Sequence, residues 1–530
     1  MRNLQRSVLA MTILLGIHLL AWSQVKNFSW PDGKKAAISL TFDDARQSHP
    51  DVGTPLFREL DVDVTYYVLP GPVRDRLQDW KEIVEEGHEI GNHTVYHPCT
   101  GNFPWSRDKA LEHYTLHTIR EELLAASAEL TELLGIEPVS FAYTCGNTYV
   151  GRGKSHMSYV PVVAELFATG RGWLNEALND PEFADMALLQ GIEMDGKDFT
   201  DIKDLVDRAV ETGSWLVLAG HEIGEEGFQT TRTRMLRELV AYANRPESGI
   251  WISTVGEVAS YINDQRDVIR QRLKAGLTFC ATFDHGTVAE VADGDGRLYA
   301  AQSYDQSKTE ASTILPNEIT LVKEQGCYGG ALEFKRKAKP VVFYHSDQNI
   351  HYSNERWSGT ISLWLSLDPS LDLAPGYTDP IQITDSGYDD AALWVDFSDK
   401  NPRNFRMGVF GDVEEWNPDK IGPDQNPAFT DRLVAANKPV FERGRWTHVV
   451  ISFEHLNTRE GKASLYVNGK LQGERNIPEP FSWDLQKSKI YLGLNFVGLL
   501  DEVSIFNRAL SESEIGSLYH LPGGINALLH

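Results

Sequence analysis

The 530-residue sequence is poor in cysteine, short of positive charge and nearly devoid of long apolar runs. Each scarcity excludes something. Four cysteines, Cys99, Cys145, Cys280 and Cys327, are too few to staple a chain of this length, so the core must come from packing. Against 75 Asp and Glu there are only 50 Lys and Arg, a formal net charge of -25. That balance argues against nucleic acid or an anionic membrane surface as the partner. One extended apolar run, Val8 to Ala21, stands near the start and is too short to cross a bilayer comfortably. No later stretch is long and apolar enough to span a membrane. Fixed-period repeats and low-complexity tracts are also absent.

What is present describes an ordinary globular protein of more than one domain. The length implies two or three. With 42% hydrophobic and 24% charged residues there is no sign of bulk disorder. Arg2 and Arg6 precede the apolar run, and "AWS" follows it, with Ala21 and Ser23 at the small-residue positions of a cleavage site. This reads as a secretory signal over residues 1–23, giving an exported mature protein, extracellular or periplasmic. Disulfides persist in such compartments. Four cysteines allow three pairings, and two lie in each half of the chain. That placement favours Cys99 with Cys145 and Cys280 with Cys327.

The first half alternates strand and helix signals. "KAAISLTF", "VDVTYYVLP" and "SWLVLAGHEIG" are β-rich runs, and Lys109 to Leu134 and "DIKDLVDRAVETG" carry helical periodicity. Ile119, Leu123, Ala126, Leu130 and Leu134 recur at helical spacing, and Gly135 ends that helix. Alternation of this kind implies a largely parallel sheet with outer helices. The character changes across a charged stretch, 266–276, which reads as a linker. Beyond it short alternating runs separated by turn residues predict an all-β sandwich over 277–530. Trp364, Trp446, Leu465, Val467 and Val503 are its expected inward-facing core residues.

Three clusters stand at strand ends in the first half: Asp43-Asp44, His93 to His97, and His221. In parallel α/β folds the loops beyond the carboxyl ends of the strands build the active site. Two histidines four residues apart can face one metal from a single helical turn. Two imidazoles and a carboxylate make three protein ligands and leave a position for water, as catalytic zinc sites do. One of the paired aspartates then serves as ligand, and the other stands free to take a proton. A cation also removes the objection to adjacent carboxylates. A second HxxxH, His113 and His117, has no such partner and reads as structural.

On these motifs the first half resembles the polysaccharide deacetylase family (NodB homology, carbohydrate esterase family 4). Thr41 to Asp44 match its TFDD motif, His93 to His97 its H(S/T)xxH motif, and "LVLAGH" its late strand motif ending in His221. The resemblance covers roughly 30 to 262 and implies a distorted (β/α) barrel over residues 24–265. It further implies Asp43 as catalytic base, Asp44, His93 and His97 as ligands of a divalent metal, expected to be zinc, and His221 as catalytic acid. The family's third motif, Arg-x-Pro-Tyr, is here "FAYTCG", with Ala142 about where the arginine falls and Cys145 where the tyrosine falls. Cys145 can supply the same backbone N–H to an oxyanion hole. Arg171, in "TGRGWLN", is the candidate to replace the missing charge, and Trp173 the candidate to wall the substrate pocket. Both Cys99 and Cys145 would then border the metal.

The second half resembles the laminin-G-like, concanavalin-A-like jelly-roll family through "FDHG", "RWTHVVISFE", "ASLYVNGK" and "GLLDEVSIFNRALSESEIGSLY". Together the resemblances imply an exported, metal-dependent hydrolase of carbon–nitrogen bonds other than peptide bonds. It would remove N-acetyl or O-acetyl groups from a polysaccharide or oligosaccharide. Two alternatives are a non-catalytic sugar-binding protein on a decayed deacetylase fold, and a deacylase of a small amide or ester.

Overall fold

The computed structural model describes residues 28–309, 311–439 and 441–529, and the expected secretory signal lies outside them. Two compact units divide the chain: one runs through Pro181 and again from Asp185 to Gly256, the other takes Glu182–Ala184 and everything from Glu257 onward.

The first unit is built on the strand β1, Ala36–Asp43, all eight of whose residues are buried. Around it lie β2 (Thr65–Val68), β3 (Glu89–Asn92), β4 (Ser140–Ala142), β5 (Thr169–Arg171), β6 (Gly191–Glu193), β7 (Trp215–Gly220) and β8 (Ile250–Ile252). The order is β5-β4-β3-β2-β1-β7-β6, every pairing is parallel, and β8 pairs with the first residues of β1. Strands buried on both faces need continuous apolar sequence, which "AISLTF" and "WLVLAG" supply. The outer edges return to each other. Gly172 N–H donates to the Leu189 carbonyl at 2.8 Å and Leu189 N–H to the Gly170 carbonyl at 2.7 Å, joining β5 to the chain entering β6. The sheet is a nearly closed barrel, as the sequence resemblance implied.

Helices cover the barrel. Helix α1, Leu116–Leu134, buries Ile119, Leu123, Ala126, Leu130 and Leu134 on one face. It starts seven residues later than the periodicity predicts, because Thr115 caps it in a reciprocal pair with Thr118. Gly135, at φ 74°, closes it. The chain before Thr115 forms 3-10 turns at Pro104–Lys109 and Leu111–His113 instead. His113 and His117 are both exposed. Helix α2, Phe199–Thr212, is capped by Asp198 with Asp201 and stopped by Gly213 at φ 63°.

The second unit consists of two antiparallel sheets of nine and seven strands enclosing one apolar core, together with covering helices. Leu465, Val467 and Val503 lie in that core as expected. Trp364 does not. Leu363 and Leu365 take the inward positions of their strand, so the period of two sends Trp364 to the opposite face. There its ring stacks 5.7 Å from Tyr519 of helix Glu512–Tyr519. Trp446 is only partly buried, just ahead of strand Thr447–Leu456. Residues 266–276 are not an irregular linker but the second part of a helix, Val255–Gly276. Ile269 and Leu273, four residues apart, pack into an apolar cluster with Leu277 and Phe506.

Cys99 and Cys145 form a disulfide, with Cα atoms 5.9 Å apart across 46 residues of sequence. Cys280 and Cys327 do not; both are free thiols. Cys280 points from strand Leu277–Ala281 into the cluster around Val450 and Phe506, where burial holds its thiol well above the usual range. Cys327 sits in a turn fixed by its N–H donating to Asp501 Oδ2 at 2.7 Å. Equal division of cysteines between halves carries no information about where those side chains point. Serine at both Cys99 and Cys145 is expected to cost the first unit about 4 kcal/mol in the chain-entropy account of a 46-residue loop. Calorimetry should show a lower-melting transition for that unit, with the second unit unmoved.

Candidate active site

The candidate catalytic and metal-binding groups of the first unit stand at or just beyond the carboxyl ends of barrel strands. Asp43 ends β1, His93 follows β3, the turn with Cys145 follows β4, Arg171 ends β5, Asp195 follows β6 and His221 follows β7. A parallel barrel places such ends on one rim.

The two aspartates divide their surroundings. Asp43 is buried, and Arg171 Nη2 donates to its Oδ1 at 2.5 Å and its Oδ2 at 2.6 Å. Arg171 is itself fully buried, its Nη1 donates to the Gly172 carbonyl at 2.9 Å, and its guanidinium lies 5.0 Å from the Tyr67 ring. Burial pushes the Asp43 carboxyl up, but the Arg171 charge, with His93 and His221, outweighs it and holds the carboxyl below the usual range. Removing one partner of such a pair would leave a buried uncompensated charge, a cost of roughly 3–5 kcal/mol. The guanidinium beside Asp43 thus comes from β5 and not from position 142.

Asp44 turns the other way, at φ 76°. Its Oδ1 lies 3.4 Å from His93 Nε2 and 3.2 Å from His97 Nε2. The ligand atoms of the three residues all fall within 4.8 Å of one another. Both histidines come from a bend rather than the expected helical turn. Thr94 at φ 67° and His97 at φ 52° reverse the chain. Asn92 Oδ1 accepts from Thr94 N–H at 2.7 Å, and Thr94 Oγ1 accepts from His97 N–H at 2.9 Å.

The donor set fits a cation. His93 Nδ1–H donates to the Ala142 carbonyl at 3.0 Å, which leaves Nε2 as its lone-pair nitrogen. Burial lowers the His97 pKa and favours the neutral ring. Two lone pairs and a carboxylate oxygen then face one another, an arrangement that only a positive charge makes favourable. The other Asp44 oxygen, Oδ2, is occupied by Arg46, whose Nη2 donates at 2.7 Å and Nε at 3.1 Å. A second cluster, His97 with Cys99 and Cys145, is just as tight, but its sulfurs are joined to each other and offer no thiolate.

His221 is oriented from behind. Its Nδ1 lies 2.7 Å from Asp195 Oδ2, and Asp195 Oδ1 also accepts from Thr231 Oγ1 at 2.6 Å. Burial depresses the imidazole, yet Asp195 and the Asp43 charge more than reverse this and raise its pKa. His49 Nε2–H, on a ring that burial holds neutral with a pKa of about 4, donates to the His221 carbonyl at 2.8 Å. Trp173 stands edge-on to His221, ring centroids 4.9 Å apart.

Beside the histidine pair, the loop after Cys99 and the bend before it carry three exposed aromatics, Tyr96, Phe103 and Trp105. The Trp105 ring lies 5.9 Å from His97, and Phe103 stacks on it at 5.4 Å. Glu112 fixes this loop by accepting from Thr100 Oγ1 at 2.7 Å and Gly101 N–H at 2.9 Å. Sequence reasoning misses Asp195, Arg46 and Trp105. Asp195 lies beyond Met194 after the short strand β6, which itself ends in Glu193, so it lacks the long apolar run that marks Asp43. Arg46 and Trp105 lie in loops and carry no signal.

One rim of the α/β barrel thus brings together an Asp-His-His donor set that could hold a metal ion and a buried Asp–Arg pair. Residues 31–152 match the polysaccharide deacetylase family, and 346–516 match the concanavalin A-like lectin/glucanases superfamily, so the chain carries a domain of each. A gellan lyase of a Bacillus species is 24% identical over 281 residues, which are 48% of this chain but 10% of the lyase. Among solved structures, the peptidoglycan deacetylase PdaC of Bacillus subtilis matches 45% of this chain and 96% of its own, at 16% identity and a TM-score of 0.28. Domain 4 of the extracellular arabinanase AbnA from Geobacillus stearothermophilus, in complex with arabinotriose, matches 46% and 97%, at 16% identity and a TM-score of 0.30.

Proposed function

We propose that the first unit is a metal-dependent deacetylase of an acetylated glycan, exported with the protein. The observation that carries this is the division of labour between adjacent aspartates: Asp44 faces two histidine nitrogens while Asp43 is held apart by Arg171. Asp44, His93 and His97 would hold the cation, with zinc the metal suited to two imidazoles and a carboxylate. Bound there, it would polarise the acetyl carbonyl and acidify a water molecule.

The remaining steps belong to the chain. Asp43, kept ionised by Arg171, takes a proton from the attacking water. The Cys145 N–H, in a turn joined to the loop after His97 by the disulfide, would donate to the oxyanion. His221, held by Asp195 through Nδ1, gives the proton on Nε2 to the leaving nitrogen or oxygen. An amine leaves poorly without that proton, so an amide needs His221 more than an ester does. Trp173, edge-on to His221, would wall the substrate site. The reading as a decayed, non-catalytic fold rests on the missing arginine, and Arg171 supports the catalytic reading instead.

Acetate release from N-acetylchitohexaose, peptidoglycan and acetylated xylan tests the proposal, and absence of acetate from all three would refute it. Two further outcomes are expected. Because the His221 pKa is raised, turnover of an amide should fall only at a pH above that at which an ordinary imidazole loses its proton. Asp195→Asn removes one of the charges that raise it, so the alkaline limb of kcat/KM should move to lower pH. Trp105→Ala should raise KM for an oligosaccharide by roughly tenfold, the worth of one aromatic stacking contact of about 1–1.5 kcal/mol. Its kcat on 4-methylumbelliferyl acetate should not change.

A further inference from the structure

The disulfide of the first unit lies against one of the histidines of the metal-site candidate. Cys99 Sγ stands 3.6 Å from His97 Nδ1, the ring nitrogen opposite the one that faces Asp44. Two zinc ligands at about 2.1 Å (nitrogen) and about 2.3 Å (sulfur), held at the tetrahedral angle, stand about 3.6 Å apart. The ligand atoms of His97, Cys99 and Cys145 all lie within 4.8 Å of one another. While the sulfurs are joined, neither is a thiolate and neither can bind a metal.

What keeps these residues together does not depend on the bridge alone. The residues flanking it bind each other directly: Thr144 Oγ1 donates to the Pro98 carbonyl at 2.5 Å, and Thr100 N–H donates to Asn147 Oδ1 at 3.1 Å. Ser106 Oγ accepts from Cys99 N–H and donates to the Cys99 carbonyl, both at 3.0 Å. The turn that carries Cys145, at φ 52°, is closed by Gly146 N–H to the Tyr143 carbonyl at 2.9 Å and Asn147 N–H to the Thr144 carbonyl at 3.0 Å. Breaking the bridge therefore leaves both side chains beside His97.

We propose that reduction of Cys99–Cys145 by a dithiol creates a second metal site, His97 with two thiolates, which draws zinc away from Asp44 and His93 by claiming the shared imidazole. The reduction is a thiol–disulfide exchange. A thiolate of the reductant attacks Cys145 Sγ, which is partly exposed where Cys99 is fully buried, and Cys99 leaves as thiolate. The reductant's second thiol then displaces Cys145. Two protein thiols form, the dithiol closes to its own disulfide, and two electrons and two protons have passed to the protein. Each thiol gives its proton to solvent as its sulfur bonds the metal. A neutral imidazole has one lone pair. With the bridge formed, that lone pair is on Nε2, which lies 3.2 Å from Asp44 Oδ1. With a metal on Nδ1, Nε2 carries the proton and donates it to the same oxygen, the carboxylate–histidine–metal arrangement that orients many zinc ligands. Asp44 changes from ligand to support of a ligand, and with His93 it offers too few donors for the first site. Soft thiolates suit zinc better than a carboxylate does, which sets the direction of transfer. The thiolate site stands on its own geometry; only the emptying of the first site rests on the deacetylase reading.

Cobalt(II) is the probe, because thiolate ligation gives it a near-ultraviolet charge-transfer band. It is added to full-length, metal-free protein before and after reduction by a water-soluble phosphine, which ends as its oxide with the oxygen of one water. The oxidised protein should bind one cobalt ion without the band, and the reduced protein one cobalt ion with it. Cys280 and Cys327 are free thiols in both forms, so a band that appears only on reduction belongs to Cys99 and Cys145. The Cys99→Ser, Cys145→Ser double variant, held below its melting transition, should show no band in either form. If that variant does not fold, alkylation of the reduced wild type with iodoacetamide decides: one equivalent of zinc should slow modification of Cys99 and Cys145 at least tenfold and leave Cys327 unchanged. No new band on reduction, a band that survives in the serine variant, unslowed alkylation, or two cobalt ions per reduced chain would each overturn the proposal, the last because a shared imidazole serves one ion at a time. Cobalt bound by the oxidised protein with no new band on reduction would overturn it and leave the deacetylase reading standing. A new band in a protein that binds no cobalt when oxidised would uphold the thiolate site and count against the site of Asp44, His93 and His97.

Discussion

Asp43→Asn should lower kcat by roughly 10²–10⁴, the span attributed to a positioned general base, while leaving the bound metal in place. The side chain is buried and both of its oxygens face Arg171, not the histidines. Asparagine keeps the shape and loses the charge that accepts the proton, and it leaves Arg171 buried without its counter-charge, so this variant should also melt earlier than the wild type. Asp44→Asn should behave in the opposite way, because Asp44 Oδ1 faces His93 and His97. Metal analysis of the two purified variants beside their rates checks this. Metal lost from Asp43→Asn and kept by Asp44→Asn would show the roles to be reversed.

His93→Ala and His97→Ala should each reduce activity to background and lose the metal. Two donors remain in either case, too few for a stable three-ligand site. Their effects on folding should differ. His93 is buried and its Nδ1–H satisfies the Ala142 carbonyl. Removing it strands that oxygen at a cost of about 1–3 kcal/mol. His97 lies on the bend and satisfies no such backbone carbonyl through its ring among the described residues. Thermal melting of metal-free proteins should therefore rank His93→Ala below His97→Ala, with His97→Ala near the wild type. Equal melting points would mean the Ala142 contact contributes nothing.

Much of this site is legible in the sequence because catalytic groups violate strand chemistry. A buried apolar run that ends in Asp43-Asp44, or in His221, is a local contradiction, and the parallel barrel collects such ends on one rim. The helix α1 and the sandwich core residues Leu465, Val467 and Val503 follow from periods of 3.6 and 2 in the same way. What the sequence hides depends on distance in the chain. Arg171 reaches Asp43 across 128 residues, and only the order β5-β4-β3-β2-β1 brings the two together. The bend at Thr94 and His97 depends on two positive φ values that HTVYH does not announce. Trp364 departs from its expected place because an aromatic on a strand fits either face until its neighbours are assigned. The Cys280–Cys327 pairing fails for the same reason: proximity in sequence halves says nothing of which face a strand turns inward.

Metal titration of the wild-type protein acting on an acetylated glycan tests the Asp44, His93 and His97 site most directly. Protein stripped with a chelator should release no acetate, and zinc added back should restore the rate in proportion up to one ion per chain, then no further. Undiminished release by protein shown to be metal-free, or restoration that needs two ions per chain, would contradict a single site built from Asp44, His93 and His97.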